Sequence, residues 1–366
     1  MIFTVVFYIF VAVTIIQIIY FLSFSVFAFK KEKKAISKNI PISVIICIKN
    51  KANELADYIQ EFSKQNYTDF EIVLINNASS DDTLDVMENL QEEYSNIKIV
   101  NVVNTEAFWG NRKYALTLGI KAATHEHLLF TDISCKPDSA YWIKEMSSNF
   151  SQEKSIILGY QKIKSKKLSF SNLLIRFDNI FNHILSFSFA KFGSPFSANI
   201  KNLGYTKSEF FKVNGFIKHM DSFIGEDDLF IKDAANNKNT AISIAENSRV
   251  TSNSYISFKD WFTQKRKLSI IFPLYKFKHR FFLNLFKFTK IIFFPLAVYV
   301  LILKWKITLP IVLFYYFIQF LVIGKSAFKL HDKKILFLLP ILDICLVSLQ
   351  IIIFITNTIS KPTHWK

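Results

Sequence analysis

The sequence predicts an α/β protein: a doubly wound, mostly parallel sheet with N-terminal and C-terminal transmembrane helices. Three observations carry this. Strand-like and helix-like runs alternate between residues 36 and 280, as in folds built around a parallel sheet. Long uncharged apolar runs stand on either side of that region. Hydrophobic residues make up 51% of the 366, Phe alone supplies 40, and mean hydropathy is +0.25, too apolar for an ordinary soluble protein.

The first apolar run, Ile2 to Phe29, has no charge and exceeds the roughly 20 residues that cross a bilayer. A signal peptide needs a basic start, a shorter apolar core and a small-residue cleavage site. This run lacks the basic start and closes on Phe27-Ala28-Phe29-Lys30, so residues 1–29 read as a retained anchor. Pro41 to Ile48 then reads as a buried strand, Asn53 to Lys64 as a helix, Phe70 to Ile75 as a strand and Asp82 to Tyr94 as a helix. Asn96 to Val103 makes a third strand, Lys113 to Thr124 a third helix and His127 to Asp132 a fourth strand. Beyond Arg280 a C-terminal region, residues 282–357, holds three apolar runs: Thr289 to Leu303, Leu309 to Ile323 and Ile335 to Thr356.

The formal net charge is +16, but the lysines cluster beside the apolar runs, as at Lys30-Lys31, Lys33-Lys34 and Lys333-Lys334. Such clusters fix orientation and touch anionic lipid, so membrane lipid is an expected partner. No nucleic-acid motif is present, and nucleic acid is not an expected partner. The positive-inside rule places Lys30 to Lys34, and with them the domain over 36–280, in the cytoplasm. Four spans then put the basic tail Lys361 to Lys366 outside, against the rule; a re-entrant or interfacial placing of one apolar run is the alternative. Cys47, Cys135 and Cys345 are far apart and odd in number, and read as free buried thiols.

Ligands of doubly wound sheets bind at the carboxyl ends of the strands, so the polar residues there are the candidates. They are Lys49, Asn50 and Lys51 after the first strand, Asn76 to Thr83 after the second, and Thr131 to Pro137 after the fourth. The Ser79 to Asp82 run also suits a helix cap. The last cluster is Glu226-Asp227-Asp228, three adjacent carboxylates beside an apolar run. These are costly unless solvated, paired or used; a solvated acidic helix start accounts for them equally well.

In this order the clusters resemble family 2 glycosyltransferases of the GT-A fold, in the membrane-anchored bacterial form, over Pro41 to Leu274. Pro41 to Ile46 resembles the opening strand and Phe70 to Asp81 the nucleotide-binding segment. Lys113, Ala115, Leu116 and Gly119 resemble the lysine-led helix, and Thr131 to Pro137 the segment with the metal-binding Asp-x-Asp. Asn202 and Tyr205 fall in the acceptor-side stretch, Gly225 to Phe230 in the catalytic acidic motif, and Gln264 with Lys267 in the Gln-x-x-Arg element.

The resemblance implies transfer, with inversion, from a UDP- or GDP-linked sugar to a lipid-linked or surface glycan acceptor at a bacterial inner membrane. It implies Asp227 as the base, with Asp228 and Glu226 as its neighbours. Lys49, Asn50, Asn77, Ser79, Lys113, Asp132, Gln264 and Lys267 would contact the donor, and Asn202 and Tyr205 the acceptor side. A divalent metal, Mg²⁺ or Mn²⁺, would rest on Asp132.

Several residues depart from the family pattern. Asn76 and Asn77 stand where acidic residues are usual, Lys51 where Glu is common, Ser134 in place of the second Asp, and Lys267 in place of Arg. A hydroxyl is a much weaker ligand for a hard cation than a carboxylate, and Lys lacks the forked geometry of Arg. Lys51, Lys113, Lys136 and Lys267 could offset lost metal charge, giving metal-independent transfer. The alternative is a catalytically impaired relative that acts as a binding or assembly partner in a membrane glycan pathway. No Gly-x-Gly-x-x-Gly follows the first strand, which argues against a dinucleotide enzyme. The altered Gln-x-x-Arg element favours single-sugar transfer over polymer synthesis.

Overall fold

The computed structural model describes residues 2–30, 39–103, 111–360 and 362. The lysines at 31, 33 and 34 and most of the basic tail lie outside these residues. The chain divides into two compact units, one of residues 33–164 and 192–255, the other of residues 1–32, 165–191 and 256–366. The region read from sequence as one domain over 36–280 is therefore shared between them.

The first unit is the α/β body. Its main sheet holds β1 (Ile42–Ile48), β2 (Phe70–Asn77), β3 (Ile97–Val102), β4 (His127–Thr131), β6 (Ile156–Gly159), β8 (Leu203–Thr206) and β9 (Thr240–Ser243), in the order β3-β2-β1-β4-β8-β6-β9. Short strands β5 (Cys135–Pro137), β7 (Gln161–Lys162) and β10 (Val250–Ser252) form a second sheet. All pairings of the main sheet are parallel except those of β8 with β4 and β6. All seven residues of β1 are buried, as a central parallel strand covered on both faces requires.

The helices α2 (Ala52–Phe62), α3 (Thr83–Glu93) and α4 (Arg112–Ala122) are the crossovers between the first four strands. α2 sends Leu55, Tyr58, Ile59 and Phe62 into the core at helical spacing. α4 lies close enough to β2 that a Cβ on Gly119 would stand 2.1 Å from Ile75 Cδ1, so any larger residue there would have to displace the Ile75 side chain. The register Phe130↔Leu203 between β4 and antiparallel β8 places the start of β8 beside the carboxyl end of β4. Residues 199–202 thereby join the edge where Asp132 emerges. The remaining helices of this unit, α5 (Trp142–Ser147), α7 (Lys207–Lys212) and α8 (Asp228–Ala234), are short.

The second unit is helical. Among the described residues three helical segments are long and apolar enough to cross a membrane: Phe3–Phe29 in α1 (Ile2–Phe29), Phe277–Lys329, which is α10, and Lys333–Ile359, which includes α11 (Leu339–Ile359). α10 is not one rod. Lys304 leaves helical geometry at φ −145°, ψ 58°. Beyond it the chain doubles back, so that the rings of Phe293 and Tyr315 lie 4.3 Å apart. Two limbs result, 277–303 and 305–329, and Thr308 Oγ1 donates back to the carbonyls of Lys304 and Val300. α1 packs along the first limb, with Phe10 against Phe293 and Gln17 donating to Thr289 Oγ1 at 2.7 Å. The helices α6 (Phe170–Lys191) and α9 (Phe258–Leu268) belong to this unit too. Asp178 of α6 accepts from Trp261 Nε1 and pairs with Lys265 of α9.

Candidate active site

Four segments converge at the carboxyl edge of the main sheet. β4 delivers Asp132, whose Oδ1 accepts hydrogen bonds from the backbone N–H and the hydroxyl of Ser134, at 2.9 and 2.6 Å. Its Oδ2 accepts from Arg112 Nη2 at 3.1 Å. Arg112 opens α4, and its Nε stands 3.3 Å from Glu226 Oε1. One guanidinium thus joins the strand-end aspartate to the acidic run. Lys201, carried in by the segment before β8, donates from Nζ to Ser134 Oγ at 2.9 Å.

The acidic run is held from α4. An ammonium has three N–H groups, and those of Lys113 meet the carbonyls of His219 (3.0 Å), Ser222 and Ile224 (2.8 Å). Asn111, which caps α4, adds a bond from Nδ2 to the Met220 carbonyl. The loop ends at Gly225, whose φ of +85° suits glycine, and Asp227 then caps α8. Asp227 accepts from the N–H groups of Asp228 (2.8 Å) and Ile200 (3.1 Å), and Asp228 from that of Ala198 (3.1 Å). Asp228 is buried, whereas Glu226 and Asp227 stay partly open.

The two aspartates have opposite electrostatics. At Asp227, burial first and then the charge of Glu226 push the carboxyl pKa up to about 6. At Asp132, burial also opposes ionisation, but Arg112, Lys201 and the bonds from Ser134 outweigh it and hold the pKa down to about 2. Carboxyls driven apart in this way divide into a permanent anion and a proton acceptor tuned near neutrality.

The other sequence-predicted residues divide into three groups. Asn50 and Ser79 lace the two neighbouring loops: Asn50 N donates to Ser79 Oγ at 3.0 Å, and Ser80 N to Asn50 Oδ1 at 2.8 Å. Lys49 is exposed at the end of β1, and Asn77 is buried at the end of β2. Lys113 faces three loop carbonyls and so anchors the loop that leads to the acidic run.

Asn202 and Tyr205, expected on the acceptor side, are fully buried. Asn202 accepts from Trp142 Nε1 and donates to the carbonyls of Tyr160 and Ser248. The Tyr205 ring stacks between Phe130 and Phe230, 4.3 Å from each. Both are core residues here, because the polar atoms of Asn202 are consumed by core partners and the Tyr205 ring fills an aromatic stack. Gln264, exposed, and Lys267 lie on α9 in the helical unit.

Arg112 and Lys201 escaped the sequence reading. A signal existed for Arg112. Adjacent cations opening a helix oppose its macrodipole, and such a placement points to carboxylate partners elsewhere.

Residues 43–216 match the profile described as Glycosyl transferase family 2. They form a family 2 glycosyltransferase domain. The chain also resembles the uncharacterized glycosyltransferase YibD of Escherichia coli (strain K12), with 26% identity over 91 residues. That match spans a quarter of this chain and a quarter of the length of that curated relative. Among solved structures, the mannosyltransferase PcManGT from Pyrobaculum calidifontis, determined with GDP-Man and Mn²⁺, superposes with a TM-score of 0.58. It is 13% identical, and the match covers 91% of this chain and all of that one. This likeness bears on the fold, which is GT-A.

A divalent metal in a transferase domain of this fold needs carboxylate oxygens with lone pairs to spare. Asp132 has one oxygen on a guanidinium and the other under two hydrogen bonds from Ser134. Among the described residues no group of three or more His, Cys, Asp or Glu side chains is placed to hold a metal. The residues present do not fit a resident divalent metal.

Proposed function

We propose that the chain transfers one sugar from a nucleoside diphosphate sugar to a hydroxyl of a lipid-linked or surface glycan precursor, inverting the anomeric carbon. The observation that carries this is the Arg112 bridge, which brings Asp132 and the acidic run into one site beside Asp227. Ionised Asp227 accepts the proton of the acceptor hydroxyl while its oxygen attacks the anomeric carbon. The bond to the diphosphate breaks on the opposite face, and the nucleoside diphosphate leaves with the electron pair. Asp228 keeps the segment around Ala198 in place, and Glu226 sets the basicity of Asp227. PcManGT was solved with GDP-Man, so GDP-sugars belong beside UDP-sugars in a first screen.

The long apolar helices favour an acceptor that is itself membrane-bound. Lys329 Nζ donates to the carbonyls of Phe27 and Lys30, gathering cations at one end of the helices. The positive-inside rule supports a cytoplasmic position for that end, at a bacterial inner membrane.

The experiment is transfer of labelled sugar from UDP- and GDP-sugars by detergent-solubilised protein, with a membrane lipid extract as acceptor. Product from wild type and none from an equally stable Asp227→Asn variant is the expected result. A second reading, a nucleotide-binding partner without turnover, draws on the engagement of Arg112 with both carboxylates. It predicts a melting shift with nucleotide and no product. Absence of both product and melting shift would sink either reading.

A further inference from the structure

We propose that Arg112 and Lys201 take the place of a divalent metal, forming a two-cation clamp for the diphosphate of a nucleoside diphosphate donor. This rests on the transferase reading above. Both cations stand on the aspartate segment where that fold would carry a metal: Arg112 on Asp132 Oδ2 and Lys201 on Ser134 Oγ. Arg112 is partly exposed although its Nε is buried facing Glu226, so the exposed part of the fork is what meets a phosphate. A planar guanidinium binds phosphate oxygens in a bidentate manner, and an ammonium adds a compact point charge. Ser134 is part of the same exchange. A second aspartate at that position would neutralise Lys201, whereas a hydroxyl orients it. Lys113 is excluded from the clamp because its three N–H groups are already taken.

The test is UDP and GDP binding to the detergent-solubilised full chain, by calorimetry, in EDTA and in Mn²⁺. Wild type binds at least one nucleotide equally well in both. Arg112→Gln and Lys201→Met each weaken binding by roughly tenfold to a hundredfold, and Arg112→Lys keeps part of the affinity. Lys201 donates to Ser134 Oγ and not directly to a carboxylate, so Lys201→Met remains informative if Arg112→Gln does not fold. Binding only in Mn²⁺ overturns the clamp and leaves the transferase reading standing. Unchanged affinity in a folded Lys201→Met or Arg112→Gln variant does the same. No binding under either condition overturns both.

A separate observation concerns α11. We infer that α11 lies across one leaflet, in contact with lipid acyl chains, rather than through the bilayer. Near its start Asp343 pairs with Lys290 of the first α10 limb at 2.5 Å. Near its end Asn357 donates to the Arg266 carbonyl and accepts from Arg266 Nε, at the close of α9. Asn357 lies as many residues beyond Asp343 as Lys304 lies beyond Lys290. A spanning α11 would therefore bring Asn357 level with the turn at Lys304, about 21 Å further along the limb.

Instead, the chain just after α9 stays near the level of Lys290. Phe272 has its ring under Lys287 Nζ, 4.6 Å from the centroid and one turn from Lys290. Ile351, Ile352, Phe354, Ile355 and Ile359 of α11 are uncovered, and the exposed hydroxyls of Ser348 and Thr358 donate to the helix's own carbonyls, as a lipid-facing helix requires.

Cysteines introduced one at a time at Lys30, Trp305 and Ser360, in a Cys345→Ser background that keeps the buried Cys47 and Cys135, are labelled with an impermeant maleimide in sealed vesicles of one orientation. Ser360→Cys and Lys30→Cys should share one accessibility, with Trp305→Cys showing the opposite. Ser360→Cys reacting together with Trp305→Cys overturns the inference.

Discussion

Arg112 Nη2 stands 3.1 Å from Asp132 Oδ2, and the other flank of the same guanidinium faces Glu226. That cation favours the ionised form of Asp132, whereas burial and the charge of Glu226 push the Asp227 carboxyl up to about 6, so Asp227 has a proton to exchange near neutrality.

Asp227→Asn should reduce sugar transfer by about 10² to 10⁴, the usual weight of a positioned base. It removes a partly buried charge whose ionisation is resisted, so the melting temperature should hold or rise. Transfer rates and melting curves of the same preparation check both. A variant retaining most of its rate places the base elsewhere.

The rate should also report the Asp227 proton. With the carboxyl pKa pushed up to about 6, turnover falls as pH drops through that value and is flat above it. Glu226 is the second cause of the elevation, so Glu226→Gln should move the acid limb to lower pH. A pH–rate profile for the two proteins decides it. An identical limb in both would remove Glu226 from the account.

Lys113→Met should cost about 3 kcal/mol, because three partly buried carbonyls lose a charged donor together. The loop it anchors carries the acidic run, so turnover should fall more than nucleotide affinity. Separate binding and rate measurements distinguish this from a donor-contacting lysine, whose loss would weaken binding first.

Asn202→Ala should destabilise by about 2 to 4 kcal/mol, leaving Trp142 Nε1 and two carbonyls unpaired in the core. Tyr205→Phe removes a buried hydroxyl that has no hydrogen-bond partner among the described residues, and should be close to neutral. Thermal melts of both variants test the core assignment. Loss of acceptor affinity in Tyr205→Phe without a change in melting would return that residue to the site.

The strands β1, β2 and β4 were readable as short continuous apolar runs, and helix α2 by apolar residues at helical spacing. Asp132 and the acidic run were readable because charge beside apolar sequence needs an explanation. Arg112, Lys201 and Lys113 were harder, since their roles depend on partners brought in by the fold from distant positions, such as Glu226 for Arg112 and Ile224 for Lys113. Asn202 misled for the opposite reason: a polar side chain reads as a surface group until its buried partners are known. The apolar runs established helices but not their tilt, since hydropathy does not distinguish Asn357 beside Ser269 from Asn357 beside Lys304.

The pairing of Lys290 with Asp343 bears on how the protein is made. Both side chains are almost wholly enclosed, and an unpartnered ammonium among apolar helices costs several kcal/mol. The partner emerges from the ribosome only after the second limb of α10 is complete. During synthesis the first limb must therefore wait at a wetter depth, or in the company of the translocon, until α11 arrives. The last apolar helix thus completes the insertion of an earlier one, and truncation ahead of it should impair accumulation of the whole chain.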